Sequence, residues 1–282
     1  MNPIATGKPD YGVAPARRSV LMDAANTLAD ARRTKAPIAS LPESLRPTSE
    51  QEAYLIQDEI AVALGEIGGW KVGAGSAEAT PLYAPMPTIW TASSGTEFRA
   101  ISYRAVEAEV AFRLGHDLPP RQSAYTEEEV YAAIASCHPA IEILDSAFED
   151  PMAVDRLSGI ADLQLHGGFA FGPAFAGWRD LDFTKESVTL LIDGIVRLER
   201  TGSNTSGNLL RLLPWLANEA SARTGGLRAG QWITTGSWTG SLRAETRSSV
   251  EASFSHLGEV AIHFAPEQNL EKGLPGDTRR FS

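Results

Sequence analysis

Ala105-Val106-Glu107-Ala108-Glu109-Val110-Ala111-Phe112 is the stretch from which the fold is read. Val106, Ala108, Val110 and Phe112 alternate with Glu107, Glu109 and Ala111. A period of two is that of a β-strand whose faces differ in character. One face suits a core. The other carries two carboxylates about 7 Å apart, from a rise of about 3.3 Å per residue. Glutamates so placed repel each other unless they are solvated, share a proton or share a cation. Taken alone, the stretch favours an edge strand whose acidic face is wet. Two other stretches shift the balance towards a cation.

Glu142 stands in Ala140-Ile141-Glu142-Ile143-Leu144-Asp145, a run that reads as a buried strand. A carboxylate buried there must be neutral, ion-paired or bound to a cation. A structural ion pair explains Glu142 by itself. Added to Glu107 and Glu109 it is a third carboxylate, and three carboxylates plus waters suit a hard divalent ion, Mg²⁺ or Mn²⁺. Zn²⁺ fits less well, because the cysteine and the histidines show no HxxxH or CxxC spacing. Lys71 lies in Gly69-Trp70-Lys71-Val72-Gly73. A lysine there either snorkels to solvent or, if desolvated, becomes a general acid or base. The flanking glycines let backbone approach a ligand closely.

The chain has 282 residues, 43% hydrophobic and 21% charged, enough to build a sizeable core. Its net charge of -10 argues against a nucleic-acid or anionic-membrane binder, since neutralising phosphate needs clustered Lys and Arg. An anionic small substrate stays open, because a bound cation reverses the local field. The single cysteine, Cys137, leaves no intrachain disulfide and fits a reducing compartment. It falls in an apolar stretch read as helical and is expected to be a buried structural thiol. No run approaches the roughly 18–20 apolar residues of a membrane span, and residues 1–20 lack the apolar core of a secretory signal. The protein is expected to be soluble and cytoplasmic.

Residues 1–15, rich in Pro, Gly and small residues, read as an irregular arm. A helix is expected over 16–35, ended by Ala36-Pro37. A second is expected from Thr48 to Leu64, with Thr48 and Gln51 as its capping box and Gly65 as its stop. These make an N-terminal arm and helical segment, 1–68. The catalytic domain is expected over 69–265, followed by a polar tail, 266–282. Within the domain, 74–97 reads as a long loop and 126–137 as a helix opened by Thr126 and Glu129. Pro139 begins the strand that carries Glu142, and 168–172 is a short buried strand. Asp193-Gly194 supplies the positive φ angles of a tight hairpin turn. Residues 209–222 read as a helix ended by Gly225-Gly226, 231–237 as a strand, and 249–254 with 259–264 as a hairpin. Many strands with few, separated helices predict a mixed β-rich α+β fold rather than alternating βαβ units.

Other patterns are weaker. Gly236-Ser237-Trp238-Thr239-Gly240 does not set Ser237 in a GxSxG frame, and there is no GxGxxG or P-loop. A hydrolase triad and a nucleotide cofactor are therefore not indicated. His166 fits a packing histidine at least as well as a site residue.

Five segments in order resemble the 2-keto-4-pentenoate hydratase and 4-oxalocrotonate decarboxylase branch of the fumarylacetoacetate hydrolase superfamily. They are Gly69-Trp70-Lys71-Val72-Gly73, Val106 to Phe112, Pro139 to Ser146, Leu213-Pro214-Trp215-Leu216-Ala217-Asn218 and Thr234-Thr235-Gly236-Ser237. The resemblance runs from about residue 20 to 265 and includes the N-terminal helical segment. It implies a mixed β-roll, with Glu107, Glu109 and Glu142 at the positions that hold Mg²⁺ or Mn²⁺. It places Lys71 at the active-site lysine and Ser237 at the substrate end of the pocket. It also implies a homo-oligomer.

The implied activity is a metal-dependent hydratase, a hydro-lyase adding water to an unsaturated 2-oxo (2-hydroxydienoic) acid, as in meta-cleavage aromatic catabolism. Lys71, alone or with Asp162, moves the proton. The alternatives are a 2-oxo-diacid decarboxylase of the 4-oxalocrotonate type, then a β-diketone C–C hydrolase with His166 replacing a missing Glu–His pair, then a non-catalytic metal-binding oligomer. The sequence departs from the family pattern in two places that would line the pocket. Ala74-Gly75-Ser76 stands where Leu-Thr-Ser is usual. After Asp162, which is kept, Leu163 occupies an asparagine position, and Gln164 and His166 are unusual. Gly73, Gln164, His166 and Ser237 are accordingly the expected substrate-binding residues.

Overall fold

The computed structural model describes residues 11–266. The polar tail from 267 on and the arm up to residue 10 lie outside the described residues. The first helix, α1 (Pro15–Thr34), has Pro15 in its first turn, where no backbone N–H is missed, and ends on Lys35 in the left-handed conformation. The second, α2 (Glu50–Leu64), is capped by Ser49, whose Oγ accepts the Glu52 N–H at 3.2 Å. Glu52 in turn accepts the Thr48 N–H at 2.7 Å. The capping pair is thus shifted one residue from the expected Thr48 and Gln51. Arg17 on α1 supplies the reason, since it binds Glu52 at 2.7 Å and fixes it there.

The strands begin with β1 (Ile67–Gly73), β2 (Leu82–Pro87), β3 (Thr91–Ser93) and β4 (Thr96–Phe98). The stretch 74–97, expected as loop, therefore holds three short strands. Pro85 and Pro87 disguise β2, which pairs antiparallel with β1 and lies at the sheet edge, where missing donors are tolerated. Next come β5 (Ala105–Leu114), α3 (Glu127–Ala132) and β6 (Ile134–Leu144). Thr126 and Glu129 form the expected capping box, but α3 stops early and Cys137 lies in β6, not in a helix. Pro139 forces the preceding residue to be extended, and β5 offers Cys137 and His138 a ladder opposite Phe112 and Ala111. Cys137 is buried, as expected.

The remaining elements are α4 (Arg156–Ala161), β7 (His166–Phe171), β8 (Ser187–Ile192), β9 (Ile195–Thr201), α5 (Leu212–Thr224), β10 (Trp232–Ser237), β11 (Leu242–Arg243), β12 (Ser249–Phe254) and β13 (Gly258–Phe264). Asp193 and Gly194 both have positive φ, 56° and 72°, in the β8–β9 turn. The larger sheet runs β2-β1-β10-β5-β6-β7-β3, with β11 beside β5, and the smaller runs β4-β13-β12-β8-β9. The fold is α+β with mixed sheets.

The strand bearing Glu107 and Glu109 is internal, not an edge. Its apolar face, Val106, Ala108, Val110 and Phe112, shares one core with Val188 and Leu190 of β8 and Val250 and Ala252 of β12. A second core joins Leu21 and Leu28 of α1 and Leu55 and Ile56 of α2 to Phe148, Ile160 and Leu163. The N-terminal helices thereby clamp the segment between β6 and β7. Among the described residues no helix is long and apolar enough to cross a membrane.

Candidate metal centre

The register of two neighbouring strands assembles the carboxylates, with a third strand beside them. Glu107 of β5 stands opposite Glu142 of β6, and Glu109 stands opposite Ala140 on one side and Ser237 of β10 on the other. One oxygen from each of Glu107, Glu109 and Glu142 lies within 4.8 Å of the others. Glu109 and Glu142 are each 1% exposed, and Glu107 is half-buried. Like charges facing across a strand pair destabilise it, so the trio needs protons, a cation, or both. Burial first, then Glu142, pushes the Glu107 carboxyl up to about 7, while Lys71 opposes this. Burial likewise pushes Glu109 well above the ordinary range, although Thr234 Oγ1 donates a hydrogen bond to it.

Glu142 goes the other way. Burial pushes it up, but Lys71 and His166 prevail and hold it below its ordinary value. Lys71 Nζ lies 2.6 Å from Glu142 Oε1, and His166 Nδ1 lies 2.9 Å from the same oxygen. Burial would depress Lys71, yet Glu142 and Glu107 hold it above its ordinary value. Lys71 reaches this face because it alternates with Trp70 and Val72, which fill the core beneath β1.

The segment 162–166 wraps around this ion pair. Leu163, Gln164 and Leu165 have φ of 55°, 51° and 65°, three consecutive left-handed residues without a glycine. The left-handed conformation costs about 1–2 kcal/mol per residue, so contacts must over-determine it. The Gln164 carbonyl accepts from Lys71 Nζ at 3.0 Å, and Gln164 Nε2 donates to the Tyr83 carbonyl at 2.9 Å. Leu163 is buried in the helical core. His166 is wholly buried, and burial pushes its pKa down.

Asp162, expected to help move a proton, is otherwise engaged. Its Oδ1 accepts from Arg32 Nε at 2.6 Å, and its Oδ2 accepts from Ser146 Oγ at 2.6 Å and the Ala147 N–H at 2.8 Å. Both oxygens are spent on holding the segment to α1 and to the end of β6. Gly73 ends β1 with its α-carbon side open to Gly236, where a Cβ would stand 3.5 Å away. Ser237 is nearly buried at the β10 end, beside Glu109 in the register.

The group fits a hard divalent ion. All three donors are carboxylates, and buried Glu142 Oε2 has no partner among the described residues. Thr234 and Arg32 complete the site without a local signal of their own: Thr234, which donates to Glu109, is an ordinary strand residue, and Arg32, which binds Asp162, is an ordinary basic residue in the last turn of α1.

No family model matches the chain. It is 27% identical over 253 residues to a 2-keto-4-pentenoate hydratase of Paraburkholderia phymatum, covering 84% of this chain and 95% of that protein. It is 25% identical over 226 residues to a 4-oxalocrotonate decarboxylase of Pseudomonas putida, covering 76% of this chain and 84% of that one. The structure of 4-oxalocrotonate decarboxylase from Pseudomonas putida G7, complexed with magnesium and adipate, shares the fold with a TM-score of 0.75 at 23% identity, over 89% of this chain and 98% of that one. Over most of its length the chain is thus similar to a 2-keto-4-pentenoate hydratase and to a 4-oxalocrotonate decarboxylase, and it shares the fold of a solved 4-oxalocrotonate decarboxylase.

Proposed function

We propose that the protein is a divalent-cation-dependent hydratase that adds water to an unsaturated 2-oxo acid, a 2-hydroxydienoic acid of aromatic catabolism in its enol form. The observation that carries the reading is the trio of glutamates with Lys71 Nζ 2.6 Å from Glu142. Glu107, Glu109 and Glu142 are the residues that would hold Mg²⁺ or Mn²⁺. When bound, the ion supplies Lewis-acid polarisation of the 2-oxo oxygen and neutralises the adjacent carboxylate.

The protein's own groups do the rest. Lys71 Nζ, held between Glu142 and the Gln164 carbonyl, gives a proton to the far carbon of the dienol and takes one from its 2-hydroxyl. The resulting 2-oxo acid keeps a conjugated double bond. Water adds at carbon 4, and the proton it sheds is balanced by one delivered to carbon 3. The product is a 4-hydroxy-2-oxo acid. Gly73 would border the acid head, and the Ser237 hydroxyl would donate to a substrate oxygen. The Gln164 carbonyl holds Lys71 Nζ in place. Asp162 holds the segment in place rather than shuttling a proton.

The reading takes the enzyme as a cytoplasmic homo-oligomer acting on a free small molecule, with a boundary near residue 68 between the helical segment and the catalytic domain. Incubation with 2-hydroxypenta-2,4-dienoate and Mg²⁺ should bleach the ultraviolet absorbance of the dienol. The relationship to the Pseudomonas putida decarboxylase supports a second reading, loss of CO₂ from 4-oxalocrotonate. No bleaching, together with CO₂ release from that diacid, would replace the first reading by the second.

A further inference from the structure

Glu142 is held by two donors on one oxygen and none on the other. Lys71 Nζ and His166 Nδ1 both meet Oε1, at 2.6 and 2.9 Å, while Oε2 is buried without a partner among the described residues. We propose that His166 is a positioning residue for the third carboxylate: its Nδ1–H fixes Oε1 so that Oε2 stays presented to the cation. The proposal rests on the metal-centre reading above.

Three observations carry it. A carboxylate oxygen only accepts, so the ring carries its hydrogen on Nδ1, the tautomer that suits a partner oriented by a fixed ring. The ring itself is immobile. It is wholly buried, its backbone carbonyl accepts from Arg32 Nη1 at 3.0 Å, and the Trp90 ring centre lies 6.0 Å away. Finally, Lys71 cannot serve as the constant support. A lysine that exchanges protons with substrate changes its hydrogen bonds during turnover, whereas His166 has no such task. Without the histidine, the three side-chain torsions of Glu142 would be restrained mainly by a group that must let go.

The other role open to a histidine paired with a glutamate is general base towards water, as in a C–C hydrolase. The geometry speaks against it. His166 Nε2 would be the basic atom, but it is enclosed and has no partner among the described residues.

The test compares His166→Asn with His166→Gln. An Asn amide nitrogen can stand where Nδ1 stands, and a Gln amide nitrogen where Nε2 stands. Calorimetric titration of the chelator-treated full chain with Mn²⁺ should give an affinity for His166→Asn within about threefold of wild type, and for His166→Gln about 10–100-fold weaker. Turnover of His166→Gln should largely return at saturating Mn²⁺. Circular dichroism and melting temperature establish that each variant is folded. Equal affinities for wild type and His166→Gln would overturn the proposal. So would loss of kcat by about 10²–10⁴-fold in both variants at unchanged Mn²⁺ affinity, the signature of a general base.

A measurement on the wild type stands even where a variant does not fold. Histidine ¹⁵N NMR should show His166 with its hydrogen on Nδ1, both metal-free and with Mg²⁺, and hydrogen on Nε2 overturns the proposal. If wild type itself takes up neither ion, the metal-centre reading fails together with the proposal. If wild type binds and the variants match it, the proposal alone fails.

Discussion

Replacing Glu107 by Gln is expected to change how the metal-free protein responds to pH, in the direction opposite to that of a salt-bridged carboxylate. Burial and the facing Glu142 lift the Glu107 carboxyl from 4.5 to about 7. Between those values the folded, metal-free chain keeps a proton that the unfolded chain has released. Protons bound in the unfolded state minus those in the folded state are therefore negative, and stability falls as pH rises. The distance from 4.5 to about 7, at roughly 1.4 kcal/mol per pH unit, amounts to about 3 kcal/mol. In melting temperature this is roughly 6–12 °C, at about 2–4 °C per kcal/mol for a chain of this size.

Other groups titrate nearby and must be separated from this effect. Glu142 is held below its ordinary range despite burial, so its contribution disappears only at more acid pH. His138 and His166, both pushed down by burial, add stability as pH rises through the ordinary histidine range. Both histidines are present in wild type and in Glu107→Gln and cancel in the difference, which reports Glu107 together with the part of the Glu109 shift that Glu107 causes. Urea unfolding of the chelator-treated proteins gives that difference directly. From pH 4.5 to about 8, wild type should lose about 3 kcal/mol relative to Glu107→Gln. Saturating Mg²⁺ should abolish the loss, because the ion takes the place of the proton. A difference that is flat, or that grows in favour of wild type with rising pH, refutes the argument that Glu107 is held beside a second buried carboxylate.

Glu109→Ala removes a buried carboxylate of the trio and should abolish stoichiometric uptake of Mg²⁺ or Mn²⁺ by calorimetry; retained one-to-one binding would dismantle the three-glutamate site. Lys71→Ala should still take up the ion but lose turnover by about 10²–10⁴-fold, and normal turnover would show that another group moves the proton. Arg32→Met leaves Asp162 as a buried, unpaired charge and should destabilise the fold by about 3–5 kcal/mol in urea unfolding. The double change Arg32→Met with Asp162→Asn should recover part of that loss, and no recovery would mean that Arg32 acts through its other bonds, to the His166, Asp145 and Asp162 carbonyls.

The fold was readable where local chemistry and tertiary context agree. The alternation at 105–112, the Asp193-Gly194 turn and the two N-terminal helices stand where their patterns put them. The departures share one physical cause, a partner that sequence does not show. Tyr83 and Met86 belong to a strand that two prolines disguise, and only its place at the sheet edge makes those prolines harmless. Cys137 sits in a stretch of modest helical character that β5 converts to strand by supplying a full ladder. At α2, Ser49 took the cap from Thr48 because Arg17, on another helix, fixed Glu52.

The site divides along the same line. Glu107, Glu109, Glu142 and Lys71 were conspicuous because charge in an apolar run is locally costly. Arg32 and Thr234 were not, because a basic residue in a last helical turn and a threonine in a strand are locally ordinary. Arg32 acts across 130 residues of sequence to Asp162. The segment 163–165 is the deeper case. Nothing in Leu-Gln-Leu favours left-handed backbone, so its shape is imposed by Lys71 on the Gln164 carbonyl, by Tyr83 on its amide and by the burial of Leu163. It also ends on His166, so the same three residues set both donors that meet Glu142 Oε1. Lys71 and His166 are thus supported by one strained strut, and a change in the strut moves both together. A change at 163–166 would therefore reach Lys71 and His166 while leaving the three carboxylates in place.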